Sequence, residues 1–272
     1  MHQQPTLNVF KARPLVLAMA AILLPTLVFA EGDNSTENAK LPTITVKADE
    51  LEKEKTAYTV KKTTTAVPLG LSVKETPQSV SIITEQRIKD QGLTSLVDVA
   101  ENVTGINAQR YETNRNSLHA RGFQIDNYQI DGVPTRYEQP WSSGETATSA
   151  VLFDRIEVVR GATGLMTGPG NPSAAINMIR KRATSTVPTG NLEVSGGSWN
   201  NYRGEFDATG SLTEDQSVKG RLVTVFQDRD FFYKPTQSRR EMVYGALSFD
   251  LLPETTLFTG VSYQKDKVDA FN

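Results

Sequence analysis

From residue 190 onward, apolar and polar side chains alternate with a period of two. Leu192, Val194 and Gly196 alternate with Asn191, Glu193 and Ser195. Tyr202, Gly204, Phe206, Ala208, Gly210 and Leu212 alternate with Arg203, Glu205, Asp207, Thr209 and Ser211. A third run covers residues 218–227. In a fourth, Val243, Gly245, Leu247, Phe249 and Leu251 alternate with Tyr244, Ala246, Ser248 and Asp250. In a fifth, Leu257, Thr259, Val261 and Tyr263 alternate with Gly260, Ser262, Gln264 and Asp266. Successive side chains of a strand point to opposite faces, so each run predicts a strand with one apolar and one polar face. Strands of about ten residues with this alternation are the pattern of a transmembrane β-barrel, whose outer face meets lipid. A soluble antiparallel sandwich alternates in the same way, so periodicity alone leaves both open. Residues 213–217 and 252–254 read as short inner turns. Residues 228–239 read as a longer outer loop carrying Phe231, Phe232 and Tyr233.

Before residue 190 the period changes repeatedly. Val80, Ser81, Ile82 and Ile83 predict a strand, and Thr84 caps a short helix over 85–90 that Gly92 ends. Thr94 or Ser95 caps a second helix, in which Leu96, Val99, Ala100 and Val103 share one apolar face directed at a core. Gly105 stops it. Residues 117–133 predict strands broken by turns at Asp126-Asn127 and Asp131-Gly132, with Pro134 at the end. The loop over 135–144 carries Arg136, Tyr137 and Trp141, a group that fits an apical binding surface and local packing equally well. A strand over 156–160 then enters a loop with Gly161, Gly164, Gly168 and Gly170. Asn171-Pro172 turns this loop into a second apolar run over 174–179.

Those glycines invite a phosphate-loop reading, but no Gly-Lys-Ser/Thr follows the last of them. Gly168, Gly170 and Ser173 make an incomplete dinucleotide fingerprint that opens no helix. The chain has no cysteine, and His119 is the only histidine after position 30. A thiolate nucleophile is excluded, and a His-based triad or His-rich metal site is disfavoured. No nucleophile, base and orienting group come together in the sequence, so no enzyme is expected.

Residues 1–30 fit an export signal. Lys11 and Arg13 precede an apolar run over 15–24 too short to span a bilayer, and Val28-Phe29-Ala30 precedes a cut near Ala30. The remainder has 27 basic against 31 acidic residues, net −4, with no long basic run to suggest nucleic-acid binding. Residues 31–40 are polar and aperiodic. Thr43, Ile44, Thr45 and Val46 then form a short β-prone patch in an acidic tether. The residues fit two readings equally: a strand added to a partner's sheet edge, or an ordinary strand of the following domain.

Four stretches, LPTITVKAD, KETPQSVSIIT, RGFQIDNYQIDGVP and DRIEVVRGATGLMTGPGNPSAAINMIRKR, together resemble the TonB-dependent siderophore receptors of the bacterial outer membrane. RGFQIDNY, VVRGATGLMTG and GNPSAAINM resemble most the branch for ferric coprogen and ferric rhodotorulic acid, which are hydroxamates; ferric-pyoverdine receptors share much of the pattern. The resemblance implies an α+β plug domain followed by the first antiparallel strands of a transmembrane β-barrel. It implies a signal peptide (1–30), a flexible tail with a TonB box (31–70), a plug (71–183) and about five strands of an incomplete barrel (190–272). On this resemblance Thr43, Ile44, Thr45 and Val46 pair with TonB as an added strand, and force derived from the inner-membrane proton gradient rearranges the plug. A ferric siderophore is the ligand, iron travels as its cargo without any other cofactor, and outer-membrane lipid surrounds the barrel.

The resemblance also implies a lock in which Arg121 and Arg160, from the RGF and VRG motifs, pair with barrel glutamates. Arg110, Tyr111, Tyr137 and Trp141 fall in segments expected to form the ligand-facing apex; Pro140 stands where coprogen-type receptors tend to have Arg. Family members close 22 strands around the plug, so this chain is expected to be a truncated receptor that does not transport alone. Signalling relatives carry an extra domain before the TonB box, for which residues 31–40 are too short. A soluble exported binding module is the remaining reading.

Overall fold

The computed structural model describes residues 57–60, 62, 63, 65, 71–111, 113–135, 147–161, 172–233, 236–252 and 255–269. The expected signal peptide, the TonB box over 43–46, and Tyr137 and Trp141 lie outside the described residues.

The first part of the chain is a mixed α/β layer. It contains β1 (Lys62–Thr63), β2 (Leu71–Ser72), β3 (Ser79–Thr84), α1 (Glu85–Asp90) and α2 (Leu96–Glu101). These are followed by β4 (Ile106–Arg110), β5 (Asn116–Ala120), β6 (Phe123–Gln124), β7 (Asn127–Ile130) and β8 (Val133–Thr135). A 3-10 turn over Ala150–Leu152 leads into β9 (Phe153–Arg160) and β10 (Ala174–Arg180). Both helices start where expected. The Thr84 hydroxyl accepts from the Arg87 amide at the first, and Ser95 and Asp98 form a reciprocal capping box at the second. The central sheet has the order β3-β9-β10-β7-β8, with β7 parallel to β10 and the other pairs antiparallel. Leu96, Val99, Ala100 and Val103 are buried as their spacing requires, against Leu118, Tyr128, Ile156 and Ile176.

The second part is a meander of long strands: β11 (Thr189–Gly197), β12 (Asn201–Ser211), β13 (Val218–Asp230), β14 (Gln237–Leu252) and β15 (Thr255–Asp269). They pair in sequence order, all antiparallel. Among the described residues this wall does not close: β11 and β15 each pair with one neighbour within it. The outer loop expected over 228–239 is shorter than read. β13 and β14 stay paired out to Asp230 and Gln237, leaving only residues 231–236. Asp228 faces Arg239 in register, and their side chains meet at 2.7 Å. Opposite charges on facing strands support a ladder, so this polar run is strand rather than loop. The β11–β12 link holds only residues 198–200, with Trp199 and Asn200 both left-handed, as tight hairpin turns require. The expected contrast between short inner and long outer links is therefore absent from the described links.

Register fixes which face is which. Leu192, Phe206, Phe226, Val243, Val261 and Tyr263 lie on one face and are exposed, Val261 at 74%. Val223, Val225, Met242, Tyr244 and Ala246 lie on the other and are buried in one cluster with the core of the mixed domain. The inner face is thus apolar where a domain fills it and polar around that patch.

Candidate functional site

The junction between the two parts is built from four charges. β10 ends at Arg180, and the next residue, Lys181, turns its side chain toward the wall with only 3% of it exposed. Lys181 Nζ donates to Glu85 Oε1 at 2.7 Å, at the start of α1, and to Asp207 Oδ2 at 2.9 Å, on the inner face of β12. From β13, Arg221 grips the same Asp207 with two bonds, Nε–Oδ1 at 2.8 Å and Nη2–Oδ2 at 2.6 Å, and reaches Glu85 Oε1 at 3.5 Å. Two cations and two carboxylates therefore alternate, each near two opposite charges. A charge this deep is strongly destabilising without its partner, whereas alternation lets every member be satisfied. The Lys181 carbonyl also accepts from the Tyr244 hydroxyl at 2.7 Å, adding a neutral bond to β14.

A second line of contact lies along the other end of β14 and β15. Arg240, paired within the wall to Asp266 at 2.6 Å, reaches the Thr94 carbonyl at 3.5 Å, and the Ser149 amide donates to Gln264 Oε1 at 2.9 Å. Near the 231–236 turn the Thr113 and Tyr233 hydroxyls lie 3.4 Å apart.

The arginines of the expected lock are not on wall glutamates of the described strands. Arg160 donates to Ser79 Oγ at 2.6 Å and to the Thr104 carbonyl, both within the mixed domain. Arg121 has a left-handed backbone, φ 54°, and its guanidinium lies over Gly161, which follows Arg160. A Cβ at Gly161 would stand 2.9 Å from Arg121 Nη1, and the φ of +106° there also favours glycine. Among the described residues neither arginine forms an ion pair, so the pairing with barrel glutamates stays an expectation.

Of the expected apex residues, Arg110 and Tyr111 end β4. Glu101 holds the Arg110 guanidinium through bonds of 2.8 and 3.3 Å, which raises the arginine pKa further. Tyr111 is exposed, and its hydroxyl lies 3.1 Å from Ser117 Oγ. Beside them a polar cavity opens between the two parts of the chain, lined by Arg110, Asp98, Asn116, Arg229 and Arg240. Arg229 stacks on Phe231, which stacks on Tyr233, with Phe232 edge-on to Tyr233. The three aromatics stand out in the sequence, whereas Arg229 and Arg240 do not. Arg229 falls inside the stretch read as loop and Arg240 just beyond it, and the signal that could have found them is the set of opposite charges on either side of the turn, Asp228 and Asp230 against Arg239 and Arg240.

The TonB-dependent Receptor Plug Domain model matches residues 72–175. The ferripyoverdine receptor of Pseudomonas aeruginosa is 43% identical over 209 residues, covering 76% of this chain and 26% of that protein. The solved pyoverdine outer-membrane receptor of the same organism, bound to pyoverdine, superposes with a TM-score of 0.73 at 42% identity, covering 78% of this chain and 31% of that one. The alcaligin outer-membrane receptor of Bordetella pertussis gives a TM-score of 0.70 at 44% identity, covering 78% and 36%. The chain thus spans about a quarter of the length of the curated relatives it matches. These relatives are receptors and not enzymes, in keeping with the absence of a catalytic constellation from the sequence. They correct the coprogen-branch expectation: the likeness is to ferripyoverdine receptors.

Proposed function

We propose that this chain, whose residues 72–175 are a TonB-dependent receptor plug domain, is the N-terminal portion of an outer-membrane receptor that imports a ferric siderophore. The carrying observation is the plug bound to a wall whose opposite face is apolar. The plug packs on Val223, Val225, Met242 and Tyr244, is tied there through Lys181, and leaves Leu192, Val194 and Val261 outward. An apolar outer face is what hydrocarbon requires of a barrel strand, and a soluble binding module would expose it to water at a cost.

In this reading residues 1–30 direct export and are cut near Ala30. Thr43, Ile44, Thr45 and Val46 add a strand to TonB, and Arg121 and Arg160 lock the plug to glutamates of later strands. Arg110 and Tyr111, with Tyr137 and Trp141, face the ligand. The relatives favour a ferripyoverdine as that ligand over a coprogen-type hydroxamate. Iron is cargo, held by the siderophore. Among the described residues the wall has two edge strands, β11 and β15, whose outer backbone is unpaired within it, a cost in lipid that further strands would remove.

A hybrid receptor tests the reading. The chain is joined in frame to the remaining strands of the P. aeruginosa ferripyoverdine receptor and expressed in a strain lacking its own receptor. Ferripyoverdine-dependent iron uptake is expected from the hybrid and not from the chain alone, and Val46→Pro removes a backbone donor and abolishes it. Uptake that survives Val46→Pro overturns the TonB role; no uptake by the hybrid overturns the transport reading.

A further inference from the structure

The central sheet carries a row of polar side chains where apolar ones would be expected. Glu157 on β9 faces Asn177 on β10, and Asn177 faces Gln129 on β7. All three are buried, Glu157 completely. Directly opposed residues share a face, and alternation along β9 puts this row on the side away from Ile156 and Val158, which belong to the main core. A carboxylate at such a position is costly unless its oxygens are fully bonded.

Its partners come from the segment that leads in from the N-terminus. The Thr63 and Thr65 hydroxyls both donate to Glu157 Oε2, the latter at 2.5 Å, while Arg155 Nε holds Oε1 at 2.7 Å. Thr65 Oγ1 in turn accepts from Asn177 Nδ2 at 2.8 Å, and Asn177 Oδ1 accepts from the Gly132 amide at 3.0 Å. A continuous chain of hydrogen bonds therefore runs from the left-handed Asp131-Gly132 turn, across the sheet, to Thr65. Among its described residues the segment has few other ties. β1 and β2 pair over two residues each, and Tyr58 is exposed while donating to Asp90. A cavity of about 280 Å³, lined by Val60, Thr84, Arg155 and Arg221, lies beside it.

We propose that residues 57–65 are a detachable strap, that Glu157 is its latch, and that Asn177 relays the state of the Asp131-Gly132 turn to that latch. Two hydroxyls on one carboxylate can be lost and replaced by water without opening the apolar core on the other face of the sheet. The β7–β8 hairpin leads directly into the segment holding Tyr137 and Trp141, so displacement of that segment reaches Gly132 first and Thr65 next. Only the consequence for transport rests on the reading above: a released strap would lengthen the reach of the residues before it. Docking and release of the strap belong to this fold alone.

Amide hydrogen exchange of the full chain in detergent, with no siderophore and no TonB, tests the latch separately from transport. Thr63→Val with Thr65→Val keeps side-chain shape and removes both donors; Glu157→Gln keeps the strap and alters the acceptor. In each, exchange over 57–65 is expected to rise about tenfold or more, with β9 and β10 within about twofold of the parent. Unchanged exchange over 57–65, or equal loss of protection in β9 and β10, overturns the latch. Asn177→Ala is expected to raise exchange at both 57–65 and 131–132, and to add little over 57–65 in the Glu157→Gln background. Additive effects there overturn the relay. An uptake failure with the exchange pattern intact removes the transport reading and leaves the strap standing.

Discussion

Lys181 at the end of the plug sheet and Asp207 on the second wall strand meet at 2.9 Å, with 3% and 11% of their side chains exposed. The pair joins two parts of the chain that, among the described residues, also meet through apolar packing, the Arg221–Glu85 contact and a half-exposed Lys89–Glu193 bridge. It differs from a surface bridge because neither charge has water to fall back on.

Replacing Lys181 by Met is therefore expected to cost about 3 kcal/mol, the low end for breaking a buried pair, since Arg221 remains on Asp207. Equilibrium unfolding in detergent measures it. Lys267→Met removes the exposed bridge to Asp269 and should change stability by less than about 1 kcal/mol. Similar losses from both would mean that the cluster does not tie plug to wall.

Gly161→Ala places a methyl 2.9 Å from Arg121 Nη1 at a backbone φ of +106°. A loss of about 2 kcal/mol is expected, most of it backbone strain. Arg121→Ala in the same chain should recover only the smaller, steric share. Full recovery would show that the guanidinium, and not the backbone, restricts this site.

Val261 points away from the plug on β15. Val261→Arg should lower the yield of vesicle-inserted hybrid receptor by about 2–4 kcal/mol of insertion free energy if the position lies near mid-membrane. Glu214→Arg, in the exposed link after β12, should have little effect. Equal insertion of both variants would contradict a lipid-facing outer surface.

Arg110→Ala should weaken ferripyoverdine binding to the hybrid at least about tenfold, as expected for loss of a charged hydrogen-bond donor. Glu101→Ala frees the same guanidinium from its partner and should weaken binding less. Titration of ligand against purified hybrid separates the two. A stronger effect from Glu101→Ala would make Arg110 a structural residue held for the sake of its neighbour.

Much of the fold is legible in the residues. The caps at Thr84 and Ser95, the buried face of Leu96, Val99 and Ala100, and the strands over 156–160 and 174–179 rest on local chemistry and periodicity, and the structure has them there. The charged run over 228–240 misled, because Asp228, Arg239 and Arg240 look solvated until register sets opposite charges face to face. The site was less legible. Lys181 lies in the basic run Arg180-Lys181-Arg182, which read only as the way out of the plug. Its partners are 96 residues before it and 26 after it, at Glu85 and Asp207, and no local pattern connects them.

The sequence by itself determined the period of each strand, the helix ends and the likeness of residues 72–175 to a receptor plug domain. These depend on neighbours within a few residues, where backbone geometry and side-chain type are sufficient. Tertiary structure decided which wall residues meet the plug, because Val223, Val225, Leu222 and Phe226 are all apolar and only pairing with β12 and β14 assigns them to faces. It also decided that Glu157, which reads as a charged residue in a strand, is completely buried beneath Thr63 and Thr65. A buried charge is tolerable only when partners distant in the chain arrive to bond it, and their arrival is a property of the whole fold.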